Sequence, residues 1–536
     1  MINAIDHDKC IGCGTCTKSC GLDVFRLDTD QHEISPCMGA CPAGTDIRGY
    51  QALLQLGDVR GALEKLKKSN PFPAITGRVC FHPCETQCAR RHVDAPVNIN
   101  GVEQFLGDRD LELNADRPVR LHLARVAVVG AGPAGLSAAW FLARMGYEVT
   151  VYEAMPEAGG MLRYGIPAYR LPSDIVRRQT EKLMQMGVHF FFNTKIGKGA
   201  DISIAELRAR GFRAVILAAG TSCGKRLDME GAHLSGVFWG LDFLRSVRCD
   251  EAPTFSGTVV VVGGGDVAVD AALSARRLGA SHVIMASLEG EGQLPAYPHN
   301  IADAVREGIE FRYGVGPVRL TEKNGTVSGL VVRKCMSVFD ESGRFSPRFD
   351  DGIQETLEAS AVIFAIGQTP EKGLFDEDAD MLPNGYARAD QLTGETARKA
   401  IFAAGDIATG PASVIRAIAG GREAAVSADH YLRGMVILGE RGSKRPQVAE
   451  DRLPHDGIPL RARHERKECP GNDFRESRQG LRLDEALAES LRCMTCGSKS
   501  YITYNDDCMT CYTCELVCPA NAINVHPFKE TLPRTL

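Results

Sequence analysis

Residues 125 to 153 admit few folds. Arg125 to Val129 is a short apolar run that reads as a buried strand. Gly130, Ala131, Gly132, Pro133, Ala134 and Gly135 follow at once as a GxGxxG turn. Leu136 to Met145 is rich in Ala and Leu without proline, which reads as a helix. Gly146 ends it, and Val149 to Tyr152 is a second strand closed by Glu153. The first glycine permits the tight turn, the second lets backbone approach a pyrophosphate, and the third lets helix and strand pack closely. The helix N-terminus offers unpaired N–H groups to phosphate. Glu153 is placed to accept from ribose hydroxyls. A lone GxGxxG is weak, since a glycine-tolerant turn in any parallel sheet shares it. With both strands, the helix and the terminal acid, it reads as a dinucleotide-binding unit.

The pattern recurs from Thr258 to Ser287, with Gly263, Gly265 and Ala268 as the second fingerprint and Asp266 and Val267 opening its helix. Two fingerprints, the second inserted into the first domain, imply FAD plus a nicotinamide nucleotide. The net charge of −5 gives no support for nucleic-acid binding, and no stretch is long and apolar enough to span a membrane. The N-terminus lacks the basic and apolar regions of a signal peptide, so a soluble cytoplasmic protein is expected.

Cysteine supplies the second constraint. Of 19, nine lie between Cys10 and Cys88 and seven between Cys469 and Cys518. Such clustering points to metal or iron–sulfur ligation rather than disulfides. Cys10, Cys13, Cys16 and Cys20 have bacterial ferredoxin spacing, although Gly21 stands where proline is usual. Cys508, Cys511, Cys514 and Cys518 repeat it with Pro519 in place. Zinc is the alternative, but its sites favour two CxxC pairs over a triple run. The Cys493/Cys496 pair is open to two readings: a second C-terminal cluster with Cys518 and Cys469, or a structural pair of free thiols.

Residues 37 to 105 hold Cys37-x3-Cys41-Pro42, a helical stretch around Ile47 to Lys68, and GRVCFHPCETQCARR with Cys80, Cys84 and Cys88. This region resembles the iron–sulfur domain shared by the glutamate synthase small subunit and dihydropyrimidine dehydrogenase. The resemblance extends to about Leu432. It implies a helical domain with two 4Fe–4S clusters, one held by Cys41, Cys80 and Cys84 with Glu103 where the relative has a Gln ligand. The other would have only Cys37 and Cys88 locally, because the family's leading CxxC pair is absent and Thr29 and His32 stand in its place. The Cys10 run is one source for the missing thiolates; buried free thiols are the alternative. The resemblance also places Gly159, Gly160, Met161 and Arg163 of GGMLRYGIP on the FAD, with Gly367, Gly405 and Asp406. The helix starting near Ser413 and Val414 would point at the flavin's pyrimidine end.

Family members that use NADPH carry an Arg-Arg pair shortly before Met-Pro-Ala. Aligned on Leu294-Pro295-Ala296, those positions are Leu288 and Glu289. A carboxylate accepts from a free 2′-hydroxyl and repels a phosphate, so NADH is expected over NADPH. Otherwise Arg276 or Arg277 would serve the phosphate.

The expected fold class is α/β: two nested Rossmann-like domains, preceded by a helical iron–sulfur domain and flanked by ferredoxin-like modules. The expected segments are 1–30 (ferredoxin-like), 31–120 (helical iron–sulfur), 121–240 and 366–435 (FAD), 241–365 (NAD(P)), 436–485 (an extended, solvated linker) and 486–536 (ferredoxin-like). The expected function is electron transfer between NADH and three to four 4Fe–4S clusters through FAD, with a larger catalytic subunit or ferredoxin-like carriers as partner. No side chain is required as acid, base or nucleophile. The alternatives are a free-standing ferredoxin:NAD(P) reductase and a non-catalytic wiring scaffold.

Overall fold

The computed structural model describes residues 1–536 except 8, 11, 23, 29–32, 116, 375–380, 383, 439–445, 450–452, 454–457, 470 and 527–536. Positions 29 and 32, where the leading CxxC pair is missing, lie outside the described residues.

The first nucleotide domain is a five-stranded parallel sheet in the order Ile401–Ala403, Phe212–Leu217, Arg125–Val129, Glu148–Tyr152, His189–Phe191. Val126 to Val128 are fully buried, as a strand covered on both faces requires. Helices Pro133–Arg144 and Val414–Leu432 pack together against this sheet. A Cβ on Gly135 would come 1.9 Å from the Gly130 carbonyl oxygen, so the third glycine is needed for close packing.

The second sheet is also parallel, in the order Glu310–Arg312, His282–Ala286, Thr258–Val262, Ala361–Phe364, Val237–Trp239. Val237–Trp239 falls within the segment assigned above to the FAD domain, yet it pairs in the nicotinamide sheet. An antiparallel sheet, Val315–Lys323, Thr326–Phe339 and Phe345–Glu358, was not foreseen and is inserted before the return strand. The two crossovers between domains pair with each other, Cys223 with Thr369 and Gly224 with Gln368.

The stretch from Ile47 to Lys68 is two helices, Ile47–Gln55 and Val59–Lys67. Gly57 takes φ +79° between them, and Asp58 caps the second by accepting from Gly61 N at 2.8 Å.

The expectation of separate modules at the two ends is corrected. Ile2–Ile5 pairs antiparallel with Ile523–Val525, and Phe25–Asp28 pairs with Lys499–Ile502. Ile2, Val24, Phe25, Ile523 and Val525 form one core. Two short strands alone are marginal; each end supplies half of a fold that neither completes.

The solvated linker is corrected too. Ile458 is buried, Arg463 pairs with buried Glu85 at 2.8 Å, and Arg466 donates to Gly77 O and Gln104 Oε1. Burial and neighbouring arginines lower the Arg466 pKa to about 10. This segment straps the helical domain instead of hanging from it. Among the described residues, no helix is long and apolar enough to cross a membrane.

Candidate functional site: a dinucleotide cleft backed by four ligand quartets

Both fingerprints open onto one cleft of about 1420 Å³. From the first domain it is lined by Pro133, Met161, Asp406, Ser413 and Val414, and from the second by Gly263, Gly265, Asp266, Val267 and Glu289. Gly367 lines it from a crossover. Gly132 has open space apart from Gly160, 4.0 Å from where its Cβ would lie, so backbone is bared there as a pyrophosphate needs. Ser413 caps the Val414–Leu432 helix, and this N-terminus faces the cleft. Burial pushes the Asp406 pKa up to about 6, against hydrogen bonds from Ala412 N and Thr221.

Several expected contacts are engaged within the protein. Glu153 is buried, and its carboxylate accepts from Ala131 N at 2.7 Å and Met155 N at 2.9 Å. It braces the turn that holds the fingerprint. Arg163 pairs with Glu157 at 2.5 Å and donates to Arg248 O. Arg276 donates to Ala280 O and Ser281 O; Arg277 pairs with Glu307 at 2.7 Å and lies over the Tyr169 ring. Neither lines the cleft, whereas Leu288 and Glu289 do.

The cysteines gather in four sets of four donors, counting Glu103. Cys41, Cys80, Cys84 and Glu103 surround one small void. Cys37, Cys88, Cys493 and Cys496 surround a second. Cys20, Cys508, Cys511 and Cys514 surround a third. Cys10, Cys13 and Cys16 form the last with Cys518, whose charge acts on Cys13. The terminal sets therefore exchange their fourth cysteines, as two-cluster ferredoxins do. The pairings weighed above for Cys493 and Cys496 are corrected: they complete the Cys37 and Cys88 pair, in place of the Cys10 run. Cys469 stands apart, on a different cleft beside Arg78 and Arg466. Among the described residues no three His, Cys, Asp or Glu groups converge as tightly as a single metal ion requires; the quartets open around voids.

Burial raises the thiol pKa at Cys16 to about 12 and at Cys88 and Cys514 to about 11, and raises Cys37, Cys80 and Cys496 further. Thiolate, not thiol, is the ligand form. Buried thiolates, joined in one set by the Glu103 carboxylate, fit a cationic iron–sulfur core, which would supply the charge their burial lacks. Glu103 is shifted likewise, to about 7 by burial, with the Tyr50 hydroxyl donating to it at 3.2 Å.

Local geometry strings these sets together. Val79 and Phe81, flanking Cys80, form part of the cleft wall. Cys41 N donates to Cys37 O across one helical turn, and Cys84 and Cys88 lie four residues apart across the end of the Pro83–Thr86 helix. Lys18 Nζ donates to Cys493 O at 2.7 Å, and Thr495 Oγ1 donates to Gly12 O. Cys511 is the one exposed cysteine of the chain. Sequence reasoning missed Phe81, which stacks on Tyr297 with ring centres 3.7 Å apart. Its position beside a ligand cysteine was the available signal.

Residues 124–421 match the family model for pyridine nucleotide-disulphide oxidoreductases. Residues 31–115 match dihydropyrimidine dehydrogenase domain II, 4Fe-4S cluster, and residues 4–26 a 4Fe-4S binding domain. The chain is 33% identical to the NADP(+)-dependent formate dehydrogenase subunit beta of Moorella thermoacetica, across 92% of this chain and 74% of that one. It is 32% identical to the NAD-dependent dihydropyrimidine dehydrogenase subunit PreT of Salmonella typhimurium, across 74% and 91%. It is 33% identical to the glutamate synthase [NADPH] small chain of Escherichia coli, across 73% and 87%.

Proposed function

Because the chain belongs to the pyridine nucleotide-disulphide oxidoreductase family, we propose that it is the electron-transfer subunit of a multisubunit oxidoreductase. It would work between NADH and one-electron partners through FAD and four 4Fe–4S clusters. The observation that carries this reading is the shared cleft, walled by both fingerprints and by the residues flanking Cys80. When bound, FAD supplies the exchange between two-electron hydride chemistry and one-electron chemistry, and the clusters supply one-electron sites.

The residues bind, orient and insulate. The two glycine turns would hold the pyrophosphates, with bared backbone N–H groups of the helix N-termini as donors. Asp406, the Ser413 helix start and Gly367 of the crossover would hold the flavin in the cleft they line together. Cys41, Cys80, Cys84 and Glu103 would hold the cluster nearest the cleft. The quartets with Cys493 and Cys496, with Cys10, and with Cys511 would hold the next three, ending at the surface.

Glu289 in the cleft, with Arg276 and Arg277 committed elsewhere, supports NADH. Two of the relatives named above carry NADP(+) or NADPH in their names and one carries NAD. The partner in this reading is a larger catalytic subunit in the cytoplasm. Exposure of Cys511 also favours a second reading, exchange with a soluble ferredoxin-like carrier.

The test is an anaerobic titration of the purified chain with NADH, then NADPH, following flavin absorbance and electron paramagnetic resonance. Bleaching by NADH followed by four cluster signals is expected. A flavin that responds only to NADPH would refute the specificity, and one that responds to neither would refute the function.

A further inference from the structure

Residues 493–500 serve two quartets at once. Cys493 and Cys496 line the void they share with Cys37 and Cys88. Four residues on, Ser500 lies in the Lys499–Ile502 strand, 2% exposed, against the quartet of Cys10, Cys13, Cys16 and Cys518. Its backbone N–H donates to Cys10 Sγ at 3.4 Å, and its hydroxyl lies 3.2 Å from Cys16 Sγ. A ligand sulfur has lost its proton, so the hydroxyl must be the donor. The register is locked on both sides. Lys499 Nζ donates to Cys10 O at 2.6 Å, and Gly12 (φ +69°) lies so close that a Cβ would stand 1.7 Å from Ser498 O. One residue therefore reaches two of the four thiolates from the opposite end of the chain.

On the reading that this quartet holds a 4Fe–4S cluster, we propose that Ser500 is the residue that sets its reduction potential relative to the quartet of Cys20, Cys508, Cys511 and Cys514. Reduction adds negative charge, which donors to the sulfurs stabilise, so each such bond raises the potential. Other donors among the described residues are the Thr15 hydroxyl (3.2 Å) and backbone to Cys13, the Thr17 backbone to Cys16, and Ala522 N to Cys518 Sγ at 3.3 Å. The outermost quartet has Thr510 N on Cys508, the Thr513 hydroxyl and backbone on exposed Cys511, and the Glu515 backbone on Cys514, and only one of these is a side-chain hydroxyl. Ser500 thus makes the inner terminal quartet the better electron store and leaves the outer one as the donor to a partner.

The test is a redox titration of the whole protein, monitored by electron paramagnetic resonance, for wild type and Ser500→Ala. One cluster's midpoint should move to more negative potential while the other three stay. Full iron with all four midpoints unchanged would overturn the proposal and leave the four-cluster reading intact. Wild-type protein with fewer than four clusters would refute that reading instead. If Ser500→Ala loses iron, Ser500→Thr, which keeps the hydroxyl, should restore both iron and the wild-type midpoint. A restored cluster with a shifted midpoint, or iron lost from both variants, would overturn the proposal.

Discussion

Arg492 adjoins Cys493 and is fully buried beside fully buried Glu489, with Nη1 2.7 Å from Oε1. It also donates to Asp94 Oδ1, Pro96 O, Ala95 O and Arg461 O. Glu489 in turn accepts from Asn98 N and His464 N. This one guanidinium therefore ties the Leu483–Ser490 helix, the strap and the helical domain around the Cys493/Cys496 pair. Arg492→Ala would leave Glu489 uncompensated and three carbonyls without that donor. Breaking a buried pair costs about 3–5 kcal/mol, a large fraction of the ~5–15 kcal/mol that stabilises a domain. We expect the variant to lose the iron of one cluster and to unfold at a lower temperature, with flavin reduction by NADH retained. Iron and acid-labile sulfide per chain, with calorimetry, provide the assay. A variant with wild-type iron and an unchanged unfolding profile would show that this network does not hold the pair in place.

Three more perturbations bear on separate parts of the molecule. Glu289→Arg removes a carboxylate and adds a donor worth about 1.5–3 kcal/mol to a phosphate, so the NADPH/NADH ratio of kcat/KM should rise by roughly 10- to 100-fold; a constant ratio would sink the specificity argument. Cys20→Ala, in the N-terminal run, should remove the cluster of the C-terminal run, and Cys518→Ala the reverse; Mössbauer spectra showing each run losing its own cluster would refute the exchange. Asp406 has a folded pKa of about 6, above its unfolded value, so its burial cost is absent at low pH and grows as pH rises through that range. Asp406→Asn should accordingly stabilise flavin-free protein by up to about 3 kcal/mol at neutral pH, with the gain shrinking as pH falls toward 5 in thermal unfolding; a gain that grows on acidification would reverse the sign.

Both nucleotide fingerprints were legible because their chemistry is local: strand, glycine turn and helix lie within 30 residues. Ferredoxin spacing was legible for the same reason. Quartet membership was not. A CxxC pair reports that two thiolates face one centre, but nothing in its spacing says whose thiolates complete it, and Cys493 meets Cys37 across more than 450 positions. The strap misled for a related reason. Arg463 and Arg466 look like solvated charges until Glu85 and the Gly77 carbonyl are placed beside them. The helix break at Gly57 and Asp58 was readable in principle, since Asp followed three residues later by Gly61 is a capping pattern.

The pairing of Ile2–Ile5 with Ile523–Val525 has a consequence for biosynthesis. At about 5–20 residues per second, translation of the intervening stretch takes on the order of 25–100 s. Throughout that interval the thiols of Cys10 to Cys20 are outside any completed sheet, and no terminal cluster has its full ligand set. Cluster loading in the terminal module must therefore follow synthesis of its C-terminal half, after the nucleotide domains have had time to fold. A chain cut short between Cys496 and the last strand would keep the cleft and the two inner quartets but lose the pairing that completes the terminal module.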